Sequence, residues 1–159
     1  MRTPLAKPHD TDARFEMVIC DFHSKQITGL DVCVRKSLFV TCSIDKSVRI
    51  WNYERRTLEI CENFSEEAHS CAFHPSGLHI VVGFADKIKL LNVFSKTLRT
   101  YKEFALKMCK EIRFAHGGHL FAAAANNSIQ VYNFYTGEHP MSSMNFRMHP
   151  GRVRCIEWK

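Results

Sequence analysis

A short apolar pattern returns four times along this chain. ITGLDV starts at residue 27, AHSCAF at 68, CKEIRF at 109 and VRCIEW at 153, so successive starts lie 41, 41 and 44 residues apart. Each copy alternates inward apolar and outward polar positions, the period of a strand with one buried face. A second series, LFVTCS from Leu38, HIVVGF from His79 and LFAAAA from Leu120, is apolar on both faces, as a strand covered on two sides must be. The third, VRIWN from Val48, IKLLN from Ile88 and IQVYN from Ile129, alternates strictly and always ends in Asn. Three strand series sharing one period indicate a repeat architecture, in which each unit buries its faces only against its neighbours.

The connections agree with this reading. His74-Pro75-Ser76-Gly77 and His116-Gly117-Gly118 end in glycine, where a tight hairpin needs a positive φ. Asp45-Lys46-Ser47, Asp86-Lys87 and Asn126-Asn127-Ser128 carry the Asp and Asn that bond their own backbone in turns. A more polar fourth run follows each third strand, in TLEICENF, TLRTYKEF and near HPMSSMNF, as suits an outer edge. No segment longer than a turn has helical period. The fold expected is all-β, with each unit of about 41 residues a four-stranded antiparallel sheet, the pattern of a β-propeller blade. The reading gives a disordered lead-in at 1–12, the outer strand of a preceding blade at 13–22, complete blades at 23–64, 65–104 and 105–146, and the first strand of an incomplete blade at 147–159. Three and a half blades cannot close a ring that typically needs about four to eight. The chain is therefore expected to be a piece of a larger propeller, a short isoform, or a subunit whose ring another chain or a missing segment completes.

Composition narrows the chemistry. No apolar run approaches the ~18 residues of a membrane-spanning helix, and the N-terminus has charge and proline where a signal peptide has its apolar core. No membrane association is expected. The seven cysteines form no C-x-x-C pair and fall mostly in strand-like runs, so they read as packed, reduced thiols. The excess of 22 Lys+Arg over 16 Asp+Glu is dispersed, which fits a solvated surface better than a nucleic-acid footprint. Nine histidines raise a metal site, from His69 with His74 and His79 or from His116 with His119, but no Cys or carboxylate completes a ligand set. No metal, cofactor or catalytic residue is expected: the chain has no Gly-rich phosphate loop, no G-x-S-x-G and no H-E-x-x-H.

The residues of the first unit resemble the WD-repeat family. His23, four residues before Ile27, Thr41, Asp45 and Trp51 match that family's hydrogen-bonded His–Ser/Thr–Asp–Trp tetrad at its spacing, and His149 stands four residues before Val153 as a partial copy. The chemistry is sound: a buried indole N–H needs an acceptor, a hydroxyl supplies one, and a carboxylate fixes the imidazole tautomer. The other units depart, with Leu91 and Tyr132 at the Trp position and Asn126 for Asp, so they must hold by packing. A narrower resemblance runs over about residues 23–159, carried by ITGLDVCVRKSLFVTCSIDKSVRIWNYERRTLE, HPSGLHIVVGFADKIKLLN and GGHLFAAAANNSIQVY. These runs are similar to the large cilia- and flagella-associated WD-repeat proteins. That resemblance implies a non-catalytic interaction scaffold in the cytoskeleton of the ciliary or flagellar axoneme, supporting inner dynein arm assembly or the regulation of motility. Its partners would be other axonemal proteins, in inner dynein arm or microtubule-associated complexes. An alternative is a WD-repeat module that binds RNA or another acidic partner through its basic surface. Propellers present turns at their rims, which makes Arg35, Lys36, Arg55, Arg56, Lys87 and Lys96 the candidate partner contacts.

Overall fold

The computed structural model describes residues 22–136, 145–146 and 149–159, which contain twelve strands and no helix. The first sheet runs β1 (Ile27–Val32), β2 (Leu38–Ser43), β3 (Ser47–Asn52), β4 (Thr57–Asn63); the second β5 (Ser70–Phe73), β6 (His79–Gly83), β7 (Lys87–Val93), β8 (Leu98–Ala105). The third runs β9 (Cys109–Phe114), β10 (Leu120–Ala125), β11 (Ser128–Asn133), β12 (Asn145–Phe146). In all three the strands pair antiparallel in chain order, and β1, β5 and β9 lie side by side as the inner edges. The expected WD-repeat β-propeller architecture of three four-stranded blades is what forms.

The doubly apolar second strands explain the stacking. In β6, Ile80 and Val82 enter the core shared with the first sheet, while Val81 between them enters the core shared with the third. Period-2 alternation thus serves two cores at once, and all three side chains are fully buried. The outer strands β4 and β8 are mostly exposed, as their polar sequence requires. Register breaks fall at Ile50/Trp51 and Leu90/Leu91, the same repeat position in two sheets, and such bulges increase local twist.

Polar ties cross between sheets at both ends and in the middle. At one end Lys36 Nζ donates to the Gly77 carbonyl at 3.0 Å, hairpin to hairpin. Gly118, at φ +75°, lies so close to His74 that a Cβ would stand 2.5 Å from its Nε2. At the other end Thr28 Oγ1 donates to the Ala68 carbonyl at 2.7 Å, and Ser70 Oγ to the Cys109 carbonyl at 3.2 Å. Between them, Asp31 on β1 accepts the Phe73 amide of β5 at 2.7 Å and the Arg113 guanidinium of β9 at 3.0 Å, while Arg113 also donates to Glu111 at 3.0 Å.

The terminal units are described only in part. The lead-in at 1–12 and most of the outer strand at 13–22 lie outside the described residues, as does 137–144 ahead of β12. VRCIEW is not a strand. It does lie against the third sheet: the Val153 amide donates to the Asn126 carbonyl at 2.8 Å, Trp158 Nε1 to the Arg113 carbonyl at 3.1 Å, and His116 Nε2 to the Trp158 carbonyl at 3.2 Å. A strand is defined by a ladder of paired backbone groups, and among the described residues no second strand of that unit supplies one. At the opposite end Ile27, Leu30 and Val32 of β1 are about half exposed, whereas Ala68, Cys71 and Phe73 at the same positions one unit on are buried. The first sheet has no described neighbour on that side.

Arg113 serves two carboxyls. Burial pushes Asp31 and Glu111 above the usual carboxylate range, and the shared guanidinium brings both only partly back. A carboxyl with a raised native pKa binds its proton more tightly when folded, so its ionisation costs stability as pH rises through that range. Arg113→Met should cost about 1–2 kcal/mol at pH 7, the scale of a partly exposed charged hydrogen bond. The loss should shrink as the pH is lowered and the two carboxyls take up protons. Urea unfolding across the acid range measures this; a loss that does not change with pH would reduce the network to packing.

Candidate functional site

The first sheet brings His23, Thr41, Asp45 and Trp51 together. Trp51 Nε1 donates to Thr41 Oγ1 at 2.8 Å, Thr41 Oγ1 lies 2.8 Å from His23 Nε2, and His23 Nδ1 lies 2.9 Å from Asp45 Oδ2. A carboxylate can only accept, so Nδ1 carries the proton, Nε2 is the acceptor, and the Thr41 hydroxyl donates to it. The Asp45 carboxylate is held from further sides: by the Ser24 amide at 3.0 Å, the Ser47 amide at 2.9 Å and Ser47 Oγ at 2.6 Å. The turn that presents Asp45 puts Lys46 at φ 68°.

A Thr–His–Asp chain has the order of a hydrolase's nucleophile, base and orienting acid, but this one is closed. Thr41 is 3% exposed, and its oxygen already accepts the Trp51 indole while its proton goes to His23. The Thr41 hydroxyl and the His23 ring are thus engaged with each other inside the cluster, and both also line the cavity beside it. The arrangement locks β1's approach, β2 and β3 together. Beside it an apolar cavity of about 290 Å³, lined by Phe22, Leu30, Phe39 and Trp51 among others, opens on the uncovered side of β1.

The other two sheets fill the same places with other side chains. Phe39 stacks on Trp51 at 5.9 Å in the first; in the third, Tyr132 lies between Phe121 at 5.2 Å and Phe104 at 5.6 Å, both nearly parallel to it. The Tyr132 hydroxyl donates to Gln130 at 2.6 Å, which satisfies the polar end that a tetrad would otherwise hold. In the second sheet Leu91 takes that place, fully buried and in register with Ile80, while Phe64 of the first unit packs on Phe84 of the second at 5.3 Å with Lys89 Nζ 5.3 Å from the Phe84 ring centre. His149 is exposed, and among the described residues its carbonyl is engaged by Asn127 Nδ2 at 3.3 Å and its ring by none.

The six basic candidates do not share one surface. Arg35 and Lys36 turn β1 into β2, Arg55 and Arg56 turn β3 into β4, and Lys96 turns β7 into β8, all exposed at one end of the sheets. Lys87 begins β7 at the other end and pairs with Glu66 at 2.6 Å. Of the histidines, His74 and His79 pack with Phe114, Tyr101 and Phe134 in an aromatic cluster between the second and third sheets, and His79 meets Asn92 at 2.7 Å. Among the described residues no group of three His, Cys, Asp or Glu could hold a metal ion. Cys33, Cys42, Cys71 and Cys109 are buried free thiols, while Cys61 and Cys155 are exposed. Residue-by-residue reading missed the Asp31–Arg113 tie. Its signal was available, since the two hold one repeat position two units apart with opposite charge.

Burial pushes the Asp45 carboxyl up, but the hydrogen bonds from Ser47, His23 and the Ser24 amide outweigh it and hold the group well below the usual range. A depressed carboxylate contributes stability above its unfolded pKa of about 4, and that contribution is lost as pH falls below it. Thermal unfolding should therefore weaken between pH 5 and pH 3, and Asp45→Asn should show less of that drop. Trp51→Ala should cost about 3–5 kcal/mol as a large core truncation. A change below about 0.5 kcal/mol, the scale of surface sites, would contradict a structural role for this cluster.

The comparisons with known proteins match this geometry. A family model described as WD domain, G-beta repeat matches residues 16–52, the unit that holds the whole tetrad. Cilia- and flagella-associated protein 57 A of Tetrahymena thermophila is 50% identical over 151 residues, 95% of this chain and 12% of that protein. Cilia- and flagella-associated protein 57 of Mus musculus is 46% identical over 147 residues, 92% of this chain and 11% of that protein. The chain thus spans about an eighth of the length of these relatives. Among solved structures, the Cps50 (Swd1) β-propeller domain of Myceliophteria thermophila superposes with a TM-score of 0.72 over 86% of this chain and 46% of that one, at 14% identity. The fold, the tetrad-bearing repeat and the sequence likeness agree: this is a WD-repeat β-propeller chain that resembles the cilia- and flagella-associated WD-repeat proteins.

Proposed function

We propose that this chain is part of a non-catalytic docking scaffold of the ciliary or flagellar axoneme. Half of its residues are identical to a cilia- and flagella-associated protein over nearly its whole length, and that observation carries the reading. The structural support is a stack of three sheets that holds hairpin turns at one end, with Arg35, Arg55, Arg56 and Lys96 exposed there. Rigid sheets presenting loops are how such folds bind proteins. In this reading residues 13–22 belong to a preceding blade and 147–159 enter the next one, and the half-exposed Ile27, Leu30 and Val32 mark the face that a preceding blade would cover. Its partners are other axonemal proteins, including those that assemble inner dynein arms or regulate motility.

The test is an immunoblot of detergent-extracted cilia from cells carrying a tag at the endogenous locus. Signal retained in the axonemal pellet is the expected result. The combined variant Arg35→Glu, Arg55→Glu, Arg56→Glu should move much of it to the soluble fraction without changing the protein's level. Signal confined to cell-body extract would overturn the ciliary reading, and full retention of the variant would remove the hairpin end as the contact.

A further inference from the structure

Thr28, His69, Lys110 and Arg154 hold the same position in four successive units. They come from the start of β1, the approach to β5, the start of β9's inner edge and the final segment, and all four line one cavity of about 710 Å³ with Arg152. The cavity lies at the inner edges, at the end opposite the hairpins that carry Arg35, Arg55 and Arg56. Its charge is unusual for this molecule. Lys87, Lys89 and Arg113 each meet a carboxylate within 3.3 Å, whereas Lys110, Arg152 and Arg154 form no ion pair or hydrogen bond through their side chains among the described residues. Glu67 is the carboxylate felt there, by His69 and Lys110 alike. His69 also has its Nδ1 enclosed without a hydrogen-bond partner among the described residues.

The electrostatics run in the same direction. Burial lowers the pKa of His69 and the Lys110 charge lowers it further; burial lowers Lys110 and the Arg152 charge adds to that. Like charges held together in partly enclosed space favour an anion between them. The volume falls in the range that holds a ligand of many atoms. The cations come from two elements, Lys110 from β9 and Arg152 with Arg154 from the final segment, so the positive charge is spread along the cavity rather than gathered at one point, as suits a run of several carboxylates. We infer that this cavity binds an acidic peptide segment of a partner protein through its side-chain carboxylates. The site is separate from the hairpin end and does not rest on the ciliary assignment.

The test uses the full 159-residue chain and a fluorescein-labelled hexaglutamate peptide, read by fluorescence anisotropy at low salt, with hexaglutamine, inorganic phosphate and a uridine hexanucleotide as comparisons. Saturable hexaglutamate binding that weakens about tenfold in Lys110→Gln or Arg152→Gln and is unchanged in Arg99→Gln, on the exposed outer strand β8, is expected. By NMR, the His69 ring should titrate at higher pH when the peptide is bound, because carboxylates replace cations as its nearest charges. Thermal unfolding of each variant confirms that it is folded. Absence of saturable binding, equal binding by hexaglutamine, or variants that bind as well as the parent would overturn the inference. Displacement by phosphate at equal concentration would reassign the cavity to a free oxyanion, and tighter binding of the oligonucleotide would reassign it to nucleic acid; either result overturns the peptide.

Discussion

The second strand of each sheet is apolar on both faces and must be covered twice. That requirement governs the rest. It sets the spacing of the units, since a sheet can be covered only by another of the same size and twist. It explains why Ile80, Val81 and Val82 can all be buried in consecutive positions of one strand, each turning to the opposite neighbour. Non-directional burial alone would let the sheets slide. The polar ties between inner edges (Thr28 to Ala68, Ser70 to Cys109, Asp31 to Phe73 and Arg113) fix their register.

Within that frame, one architectural place is filled in three chemically different ways. The first sheet uses a hydrogen-bonded chain from Trp51 to Asp45, the third a stack of Phe104, Tyr132 and Phe121, and the second a fully buried Leu91 in register with Ile80. The common element is a large planar or branched side chain at the same register position, buried against the second strand. The polar version demands four matched partners because an unsatisfied indole or imidazole in the core is costly. The aromatic version demands only shape. This is why a repeat can lose its tetrad without losing its sheet, and why a family model matches one unit of the three.

Much of this was legible in the sequence, because the signal is periodic. Three strand series at one spacing set the fold class, the strand order and the turns, and glycines 77 and 118 take the positive φ that their turns need. The four tetrad residues were readable because their partners lie within one unit. The remainder depends on neighbours that the local pattern does not carry. VRCIEW has the alternation of a strand but no ladder partner among the described residues. Lys87 reads as a free rim cation, yet it lies at the far end and meets Glu66. The cationic cavity is built from one residue per unit, so it emerges only when sheets are stacked, although the column Thr28, His69, Lys110, Arg154 stands in the alignment.

The position of Asp31 bears on how the chain acquires its structure. Contacts within a sheet span a few tens of residues and can form as soon as a unit leaves the ribosome, whereas the Asp31–Arg113 pair joins residues 82 apart. Docking of the second sheet brings the Phe73 amide to Asp31 and begins to desolvate its carboxylate, before the cation that compensates it is in place. The Phe73 amide of the second sheet is the first group to offset that burial, and the Arg113 guanidinium of the third adds to it. Repeat proteins tend toward piecemeal, independently melting units; here one carboxylate is shared by all three, a link between the first and third that apolar stacking of neighbours does not supply.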